Sequence, residues 1–390
     1  MRVTHVITRL IVGGAQENTI TSVLGLRQKP GLDVRLISGP SLGAEGSLES
    51  AAARAGLRVQ LSPHLVRPVH PWHDALAFRD LARTFGRERP DLLHTHSGKA
   101  GFLGRLAAAR ARVPLIVHTL HGPSFGGFQG PLANTLFRAA ERRAGAVTTH
   151  FVSVAEAMTR QYLAAGIGRP EQYSLIYSGF DLQPFLAADN SPRARERWGL
   201  AASDLVIGKI ARLFKLKGHD DLFAVAGEIV RQCPQARFLL VGDGPWRARF
   251  EDLARERGLE RHFVFTGLVP PGEVPALVGI MDVLVHLSRR EGLPRALPQA
   301  LAAARPVVAW DCDGAKEVCI DGETGFLLPP GDRAALQSRI LQLARDPALR
   351  EKLGKRGQDW VRERFAAQAM VDQLHELYLK LARARGIPHP

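Results

Sequence analysis

The sequence predicts an α/β fold in which two doubly wound domains each carry a parallel sheet. Short apolar segments typical of buried strands alternate with longer segments of helical periodicity along the chain. The alternation runs as two series, which a turn-rich segment near residue 185 separates. A chain of 390 residues is also long enough for two domains of ordinary size. Because strands that alternate with crossover helices form parallel sheets, we expect one sheet for each series.

Twelve strands are predicted, six in each series. In the first series they span residues 4–10, 34–38, 92–95, 115–119, 147–154 and 174–177. In the second series they span residues 205–210, 238–241, 263–265, 283–287, 307–310 and 326–328. Turn residues at 178–184 mark the boundary, so the first domain takes residues 1–185 and the second takes 186–365. The last segment, 366–390, has apolar residues at three- and four-residue spacing and is predicted to be a helix.

The composition is that of an ordinary globular protein. Hydrophobic residues make up 45% of the chain and charged residues 23%, and no segment approaches the roughly 18 apolar residues that a spanning helix needs. The three cysteines, Cys233, Cys312 and Cys319, lack metal-ligand spacing and cannot close a disulfide framework. We therefore expect a cytoplasmic chain without a signal sequence.

The net charge of +14 is less ordinary, and it is concentrated in the first predicted domain. Such an excess points to an anionic partner, either a membrane surface or nucleic acid, although an arginine-rich composition would also produce it. No recognised nucleic-acid-binding motif accompanies the charge, so nucleic acid is not expected. Arg79, Arg83 and Arg87 recur every four residues in a segment of helical character and share one face. We expect this face to dock on an anionic membrane.

Glu291 marks the place where a ligand is expected. It follows the predicted strand 283–287 and precedes a predicted helix over 295–304. In open parallel sheets, ligands bind just outside the carboxyl ends of the strands. Arg212 and Lys217 follow the predicted strand 205–210 in the same half of the chain. One carboxylate and two cations at neighbouring loop ends suit a phosphorylated sugar.

Several short motifs occur in a fixed order along nearly the whole chain. They are Gly13-Gly14-Ala15-Gln16, His94-Thr95-His96-Ser97-Gly98-Lys99, His118-Thr119-Leu120-His121-Gly122, the run from Lys209 to Gly218, Val241-Gly242-Asp243-Gly244-Pro245, Glu291-Gly292-Leu293-Pro294 and Pro306-Val307-Val308-Ala309. This order resembles the family-4 retaining glycosyltransferases of GT-B fold, also called glycosyl transferases group 1. The resemblance implies two Rossmann-like domains that face each other across a cleft, with the C-terminal helix crossing back to the first domain.

The resemblance also implies roles for residues of the second domain. In this family Arg and Lys, rather than a metal, meet the charge of the leaving diphosphate, and Arg212 and Lys217 match those positions. Lys209 and Lys215, in the same run, are expected to lie in solvent. Glu291 would bind hydroxyls of the donor sugar. The donor-binding residues implied beside it are Gly242, Asp243, Gly292, Leu293, Pro294 and Gln299. Gln299 stands where the family has a second glutamate, which usually holds the ribose hydroxyls.

In the first domain, Gly13 and Gly14 follow a strand and precede a helix that is expected to begin near Ala15. Backbone amides and a helix N-terminus in such a loop attract phosphate, and the resemblance places the loop against the donor. It also implies that His121 contacts the donor sugar. His96 and Lys99 are candidates for contacts with the acceptor, and His94 and His118 are candidates for packed or acceptor-side positions.

The resemblance therefore implies a metal-independent retaining hexosyltransferase that needs no cofactor. It would act in cell-surface polysaccharide or glycolipid synthesis, moving a sugar from a nucleotide-sugar donor to a lipid-linked or saccharide acceptor, in the cytoplasm or on the inner face of the membrane. Asp311 and Asp313 imitate the manganese-binding carboxylates of another glycosyltransferase fold, but Arg212 and Lys217 already supply the charge. A rival hypothesis is a non-catalytic sugar-nucleotide-binding protein, motivated by Gln299 and by Ala304, which replaces the family's usual glycine.

Overall fold

The computed structural model describes residues 1–41 and 46–388, and the chain divides into two compact units. Unit 1 contains Met1–Phe180 and the chain from Ala367 onward, and unit 2 contains Asp181–Ala366. The chain thus leaves unit 1 slightly before the boundary predicted at residue 185. Phe180 is buried, and its carbonyl accepts a hydrogen bond of 3.1 Å from the Ala367 N–H. The two passages of the chain out of unit 1 and back into it therefore meet at this point.

Strands and helices alternate in unit 1 before the chain enters unit 2. They are β1 (Arg2–Ile7), α1 (Gly14–Leu26), β2 (Asp33–Ser38), α2 (Glu49–Arg54), β3 (Val59–Leu61), α3 (Pro71–Glu88), β4 (Leu92–His96), α4 (Gly98–Arg110), β5 (Leu115–Leu120), α5 (Pro131–Gly145), β6 (His150–Ser153), α6 (Glu156–Ala164) and β7 (Tyr173–Leu175). The strands form one parallel sheet in the order β3-β2-β1-β4-β5-β6-β7.

The sheet differs from the sequence prediction in its edge strand and in the bounds of several strands; β6, for example, was predicted over 147–154 and spans His150–Ser153. The edge strand β3 was not predicted, because its three residues are only half-buried or exposed and form no continuous apolar run. Strand β1 was predicted to reach residue 10 but ends at Ile7. Leu10 is nevertheless buried. Its carbonyl accepts a 2.8 Å hydrogen bond from the Leu48 N–H instead of pairing within the sheet.

Unit 2 repeats the arrangement with six strands. Its elements are α7 (Gln183–Leu186), α8 (Pro192–Glu196), β8 (Leu205–Ile210), α9 (His219–Gln232), β9 (Ala236–Val241), α10 (Arg247–Glu256), β10 (Phe263–Gly267), α11 (Val274–Gly279), β11 (Val283–His286), α12 (Ala296–Ala302), β12 (Val307–Trp310), β13 (Gly325–Leu328), α13 (Arg333–Arg345) and α14 (Pro347–Arg364). The strands are parallel, in the order β10-β9-β8-β11-β12-β13. All six strands predicted for this half are present.

The chain returns to unit 1 as helix α15 (Ala367–Ala384). Its apolar stripe packs into the same core as β1 and α1, and contains Met370, Val371, Leu374, Leu377 and Tyr378. The contact with α1 is close, since a Cβ on Gly25 would lie 2.4 Å from Cγ2 of Val371. The predicted return of the C-terminal helix to the first domain is confirmed. Residues 389–390 of the predicted helix lie outside the described part of the chain.

Each sheet has one place where the strand order reverses direction. In unit 1 this switch lies between β1 and β4, and in unit 2 it lies between β8 and β11. The loops after these strands diverge to opposite sides of the sheet, which leaves a crevice at the carboxyl edge where ligands bind. Among the described residues, no helix is both long and apolar enough to cross a membrane.

Candidate active site

The switch point of unit 2 brings together Lys217 and Glu291, one from the loop after β8 and the other from the loop after β11. Lys217 Nζ donates a hydrogen bond of 2.5 Å to Glu291 Oε1. Their side chains are 21% and 19% exposed, so a ligand can reach both. The sequence prediction that these two loops carry neighbouring charges therefore agrees with the geometry.

Gly218 allows the two loops to approach each other. Its φ is 68°, and a Cβ at this position would lie only 2.0 Å from the Leu287 carbonyl oxygen. The Arg289 N–H also donates a 2.9 Å hydrogen bond to the Leu216 carbonyl. Any larger residue at position 218 would push the loop of Lys217 away from the loop of Glu291.

Arg212 begins the same loop after β8 and is exposed. Its guanidinium carbon lies 5.5 Å from the centre of the Phe214 ring, a cation–π arrangement that orients the side chain. The neighbouring Leu213 N–H donates to the Asp243 carbonyl at 3.0 Å. A Cβ on Gly242 would lie 2.5 Å from the Ala211 carbonyl oxygen, so glycine is needed for this packing.

Gly242 and Asp243 thus pack against the backbone of the Arg212 loop. The Asp243 carboxylate accepts hydrogen bonds from the Gly244 N–H at 2.7 Å and from Arg247 at 3.4 Å. It is therefore committed to its own loop and to helix α10. Direct contact of these two residues with a donor remains a prediction.

The Glu291 carboxylate is held in its ionised form. Burial alone would raise its pKa, but the charge and hydrogen bond of Lys217 outweigh burial and keep the pKa below its usual value. His286, at the end of β11, has its Nε2 3.6 Å from Glu291 Oε1. Burial lowers the pKa of His286 to about 3, so this ring is neutral and can donate or accept without adding charge. The sequence analysis did not name His286 as a site residue, although its position at the end of a predicted strand could have indicated it.

Asp313 fixes the backbone of the Glu291 loop. Its Oδ2 accepts a 2.7 Å hydrogen bond from the Glu291 N–H, and the Gly314 N–H donates 3.0 Å to the Gly292 carbonyl. Asp313, which resembled a manganese ligand in the sequence, therefore positions the backbone of Glu291. Asp311, its apparent partner in that pattern, is exposed.

The residues after Glu291 follow the predicted arrangement of a loop that leads into a helix. Gly292, Leu293 and Pro294 are buried, and the Pro294 carbonyl accepts a 3.1 Å hydrogen bond from the Leu297 N–H as α12 begins. Gln299 is half-buried within α12. Contact of any of these residues with a donor stays a prediction.

Lys209 requires a correction, because the sequence interpretation placed it in solvent together with Lys215. Lys215 is exposed, but Lys209 is only 1% exposed in the central strand β8. Its Nζ has no hydrogen-bond partner among the described residues. Burial and the charge of Lys217 lower the pKa of Lys209 to about 7, although Glu291 and Asp221 oppose the shift. Its burial could have been predicted from its position in a central parallel strand, because such strands are buried on both faces.

At the corresponding edge of unit 1, helix α1 begins at Gly14, close to the predicted start, with Gly13 as its N-cap residue. His121 follows the last residue of β5, as predicted. Its Nε2 lies 3.0 Å from Nδ1 of His96. The loop and His121 therefore stand at the carboxyl edge of the unit 1 sheet, where the donor contacts were predicted.

His96 and Lys99 are both engaged within unit 1, and their contact with an acceptor stays a prediction. His96 is 1% exposed, and both of its ring nitrogens face other histidines. Lys99 Nζ donates to Asp74 Oδ1 at 2.5 Å and also to the Pro68 carbonyl. Its side chain is 11% exposed. Lys99 fastens α4 to the start of α3, and His96 belongs to the core, as do the buried His94 and His118.

Comparison with known proteins identifies the family. Residues 14–179 match the family model described as Glycosyl transferase 4-like domain, and residues 190–360 match the model described as Glycosyl transferases group 1. A GDP-mannose-dependent alpha-(1-6)-phosphatidylinositol monomannoside mannosyltransferase of Mycolicibacterium smegmatis is 31% identical over 88% of this chain and 89% of its own length. The chain is a family-4 glycosyltransferase of GT-B fold.

Other similarities agree with this assignment. The UDP-Gal:alpha-D-GlcNAc-diphosphoundecaprenol alpha-1,3-galactosyltransferase of Escherichia coli is 25% identical over 80% of this chain and 81% of its own length. The crystal structure of HepE from Anabaena in complex with UDP-glucose has a TM-score of 0.81 and 23% identity, covering 97% of this chain and 100% of that one. Both the family and the pair of Rossmann-like domains predicted from sequence are confirmed.

Proposed function

We propose that this glycosyltransferase moves a hexosyl group from a nucleoside-diphosphate sugar to an acceptor hydroxyl, with retention at the anomeric carbon and without a metal. The observation that carries the proposal is the Lys217–Glu291 pair at the switch point of unit 2. The pair combines a cation that suits a diphosphate with a carboxylate that suits sugar hydroxyls, and this supports the proposal.

The chemistry needs a stabilised leaving group. As the bond between the anomeric carbon and the diphosphate oxygen breaks, negative charge grows on the diphosphate, and Lys217 and Arg212 would meet it there. Arg212 can bind two phosphate oxygens in a fork, whereas Lys217 acts as a point charge. These two cations would stabilise the charge that a metal ion stabilises in other enzymes, which supports metal independence.

The acceptor hydroxyl would attack from the face that the diphosphate leaves, and a phosphate oxygen would take its proton. No protein nucleophile is required. Glu291 would orient the sugar through its hydroxyls, its backbone fixed by Asp313. The family likeness adds His121 and the Gly13-Gly14 loop as further donor contacts.

The names of relatives support a nucleotide-sugar donor and a lipid-linked acceptor. The mycobacterial relative uses GDP-mannose and a phosphatidylinositol mannoside, and the Escherichia coli relative uses UDP-Gal and a diphosphoundecaprenol-linked sugar. Because the relatives differ in nucleobase, the first experiment offers UDP- and GDP-hexoses together with a polyprenyl-diphosphate sugar and a phosphatidylinositol mannoside. Formation of a product whose anomeric configuration equals that of the donor, undiminished by EDTA, supports the proposal. Inversion, or loss of turnover in EDTA with rescue by manganese, contradicts it.

A lipid-linked acceptor suits a protein that docks on an anionic membrane through unit 1. Arg79, Arg83 and Arg87 are exposed on α3, as the sequence predicted. Helix α4 packs against both α3 and α5, and α5 exposes Leu132 and Leu136 by 75% and 62%. Arginines that attract acidic headgroups and leucines that enter the interface are the two features of a peripheral membrane surface.

Vesicle co-sedimentation tests this docking. We expect binding to phosphatidylserine-rich vesicles to fall when Arg79, Arg83 and Arg87 are replaced together by glutamine, since each contributes about 1 kcal/mol near such a surface. Leu132→Gln with Leu136→Gln should weaken binding that remains at high salt. Equal sedimentation of the wild type and the arginine variant would remove the membrane from the proposal.

Gln299 favours a second candidate, a sugar-nucleotide binder without turnover, because the ribose-holding carboxylate of the family is replaced by an amide there. The same donor set separates the two candidates. Thermal protection by a nucleotide sugar without any transfer or hydrolysis product would support the binder.

A further inference from the structure

A chain of hydrogen bonds runs through the core of unit 1 and ends at His121. The Tyr378 hydroxyl on α15 lies 3.3 Å from Nε2 of His5 on β1. His5 Nδ1 lies 2.9 Å from Nε2 of His96 on β4, and His96 Nδ1 lies 3.0 Å from Nε2 of His121. The chain therefore connects the C-terminal helix to the sheet edge through three consecutive imidazole rings.

A branch starts at the same hydroxyl. The Tyr378 oxygen lies 2.5 Å from Nδ1 of His94, and His94 Nε2 lies 2.6 Å from the Thr119 hydroxyl. We call His5, His94, His96, His121 and Tyr378 the histidine network. Its three inner histidines are buried, with at most 1% exposure.

The inner rings are neutral. Burial lowers the pKa of His5 to about 3. Burial, together with the charge that neighbouring histidines would carry, also holds the pKa values of His94 and His96 well below the usual value. A neutral imidazole has one N–H and one lone pair, so each of the three inner rings donates at one nitrogen and accepts at the other.

This rule couples the proton positions. Only one proton fits between His5 and His96, and only one between His96 and His121. If His5 carries its proton on Nε2, His96 must donate from Nε2 and so must His121. If His5 carries it on Nδ1, the whole chain reverses. A single choice therefore fixes the tautomer of every ring.

The hydroxyl of Tyr378 makes that choice, because it can donate to His94 or to His5 but not to both. Its oxygen lies 2.5 Å from His94 and 3.3 Å from His5. A donated O–H bond is the shorter kind and an accepted N–H bond is the longer kind. The hydroxyl therefore donates to His94 Nδ1 and accepts from His5 Nε2–H.

We propose that Tyr378, His5 and His96 are positioning residues that hold His121 in its Nε2–H form, so that Nδ1 of His121 accepts a hydrogen bond from a hydroxyl of the donor sugar. The role of His121 toward the sugar rests on the proposed function. The coupling of the tautomers does not, because it follows from distances within unit 1.

A metal is the other occupant that such a cluster could hold, since ring nitrogens of His5, His94 and His96 lie within 4.8 Å of one another. All six ring nitrogens, however, already face a hydrogen-bond partner. The 2.9 Å separation of His5 Nδ1 and His96 Nε2 fits a shared proton. A metal would need both of those lone pairs at once.

The test is to read the tautomers by NMR in protein labelled with ¹⁵N-histidine, assigned with single-histidine variants. We expect His5, His94, His96 and His121 all to carry a proton on Nε2 near pH 8. Signals of mixed type, with adjacent rings protonated on differently named nitrogens, would overturn the coupling. Stoichiometric zinc binding that shifts these signals would replace the proton network by a metal site.

Tyr378→Phe tests the control by the hydroxyl. Without it, an Nε2–H on His5 would face the phenyl ring, so we expect the proton to move to Nδ1 in His5, His96 and His121. The KM for the nucleotide sugar should rise or kcat should fall by about three- to tenfold, with unchanged affinity for the nucleoside diphosphate alone.

Tyr162→Phe is the matched control. Tyr162 is also a fully buried tyrosine of unit 1, but its hydroxyl donates to Ser124 at 3.2 Å, outside the network. It should leave the tautomer of His121 unchanged. An unchanged His121 tautomer in Tyr378→Phe, or an equal change in both variants, would overturn the proposal. If no donor gives product with the wild type while the tautomers behave as expected, the proposed function fails and the coupling stands.

Discussion

Unit 2 presents charges at the carboxyl edge of its sheet, whereas unit 1 presents a histidine held by neutral rings at the same kind of edge. In unit 2, Lys217 and Glu291 are paired and partly exposed, with Arg212 on the same loop. In unit 1, His121 is bonded to the buried His96. Each of these edges contains the switch point of a doubly wound sheet, although His121 follows β5, the strand next to the unit 1 switch. Topology alone therefore does not decide what the two edges bind. From these side chains we expect unit 2 to bind the diphosphate and unit 1 to contact an uncharged sugar hydroxyl.

Removing a cation from the unit 2 edge should have the largest effect. We expect Lys217→Ala or Arg212→Ala to lower kcat by about a hundred- to a thousandfold, the usual loss when one preorganised electrostatic group is removed. Steady-state kinetics with the cognate donor measure it. Lys215→Ala, which removes an exposed cation from the same loop, should change kcat little. Less than a tenfold loss in both active-site variants would mean that the diphosphate binds elsewhere.

The next effect concerns the lysine buried beneath that edge. The pKa of Lys209 is lowered from 10.5 to about 7, so between these values the unfolded state binds a proton that the folded state lacks. Folding stability from this group therefore rises with pH across that window, and the cost of burial is largest below it. We expect Lys209→Met to raise the free energy of unfolding by about 2 kcal/mol near pH 6 and by less near pH 9.

Urea unfolding of the wild type and Lys209→Met at the two pH values gives this comparison. Lys215→Met is the control, since its side chain is exposed and should change stability little at either pH. A Lys209→Met variant that is less stable than the wild type near pH 6 would show that Lys209 is charged and paired in the folded protein.

A smaller effect is expected at Gln299, in the affinity of unit 2 for the nucleotide. A carboxylate accepts from both ribose hydroxyls with its charge assisting, whereas an amide offers one oxygen and a donor in place of the other. Charge-assisted bonds contribute roughly 1.5 to 3 kcal/mol and neutral ones about 0.5 to 1.5. We therefore expect Gln299→Glu to tighten nucleotide binding by up to about tenfold in calorimetric titration, with the same sugar preference. Weaker binding would show that Gln299 is fitted to a neighbour in α12 or its surroundings.

The smallest effect lies at the end of α12. Ala304 has a φ of 55°, in the left-handed region that favours glycine. We expect Ala304→Gly to raise the free energy of unfolding by about 1 kcal/mol in denaturant titration, because the strain of the Cβ is relieved. Ala303→Gly, at an ordinary φ of −85°, should lower it. Equal effects of the two changes would mean that the backbone at Ala304 is not strained.

Strand positions and the loops at the sheet edge could be predicted from the sequence, because they depend on local apolar patterns. Buried strands such as β8 and β12 have the predicted bounds, and the loops of Lys217 and Glu291 meet because carboxyl ends of parallel strands share an edge. The sequence analysis was wrong about Lys209, which is buried in the central strand β8 although lysine is usually an exposed residue. It did not predict the ion pair of Lys99 with Asp74, because the two residues lie on different helices.

The histidine network shows what sequence could not predict. His5 and Tyr378 are 373 positions apart, and only the return of α15 to unit 1 brings them together. His94 and His96 were visible as a motif, but their partners depend on the register of β1, β4 and β5. Contacts fixed by tertiary register have no counterpart in spacing along the chain.

If unit 2 binds the diphosphate and unit 1 contacts the sugar, variants at the two edges should lose affinity for different ligands. Calorimetric titration of Lys217→Ala and His121→Ala with the nucleoside diphosphate, and then with the nucleotide sugar, measures this. We expect Lys217→Ala to weaken binding of both ligands, and His121→Ala to weaken binding of the nucleotide sugar alone. Loss of nucleoside diphosphate affinity in His121→Ala as large as that in Lys217→Ala would contradict the division of tasks between the two edges.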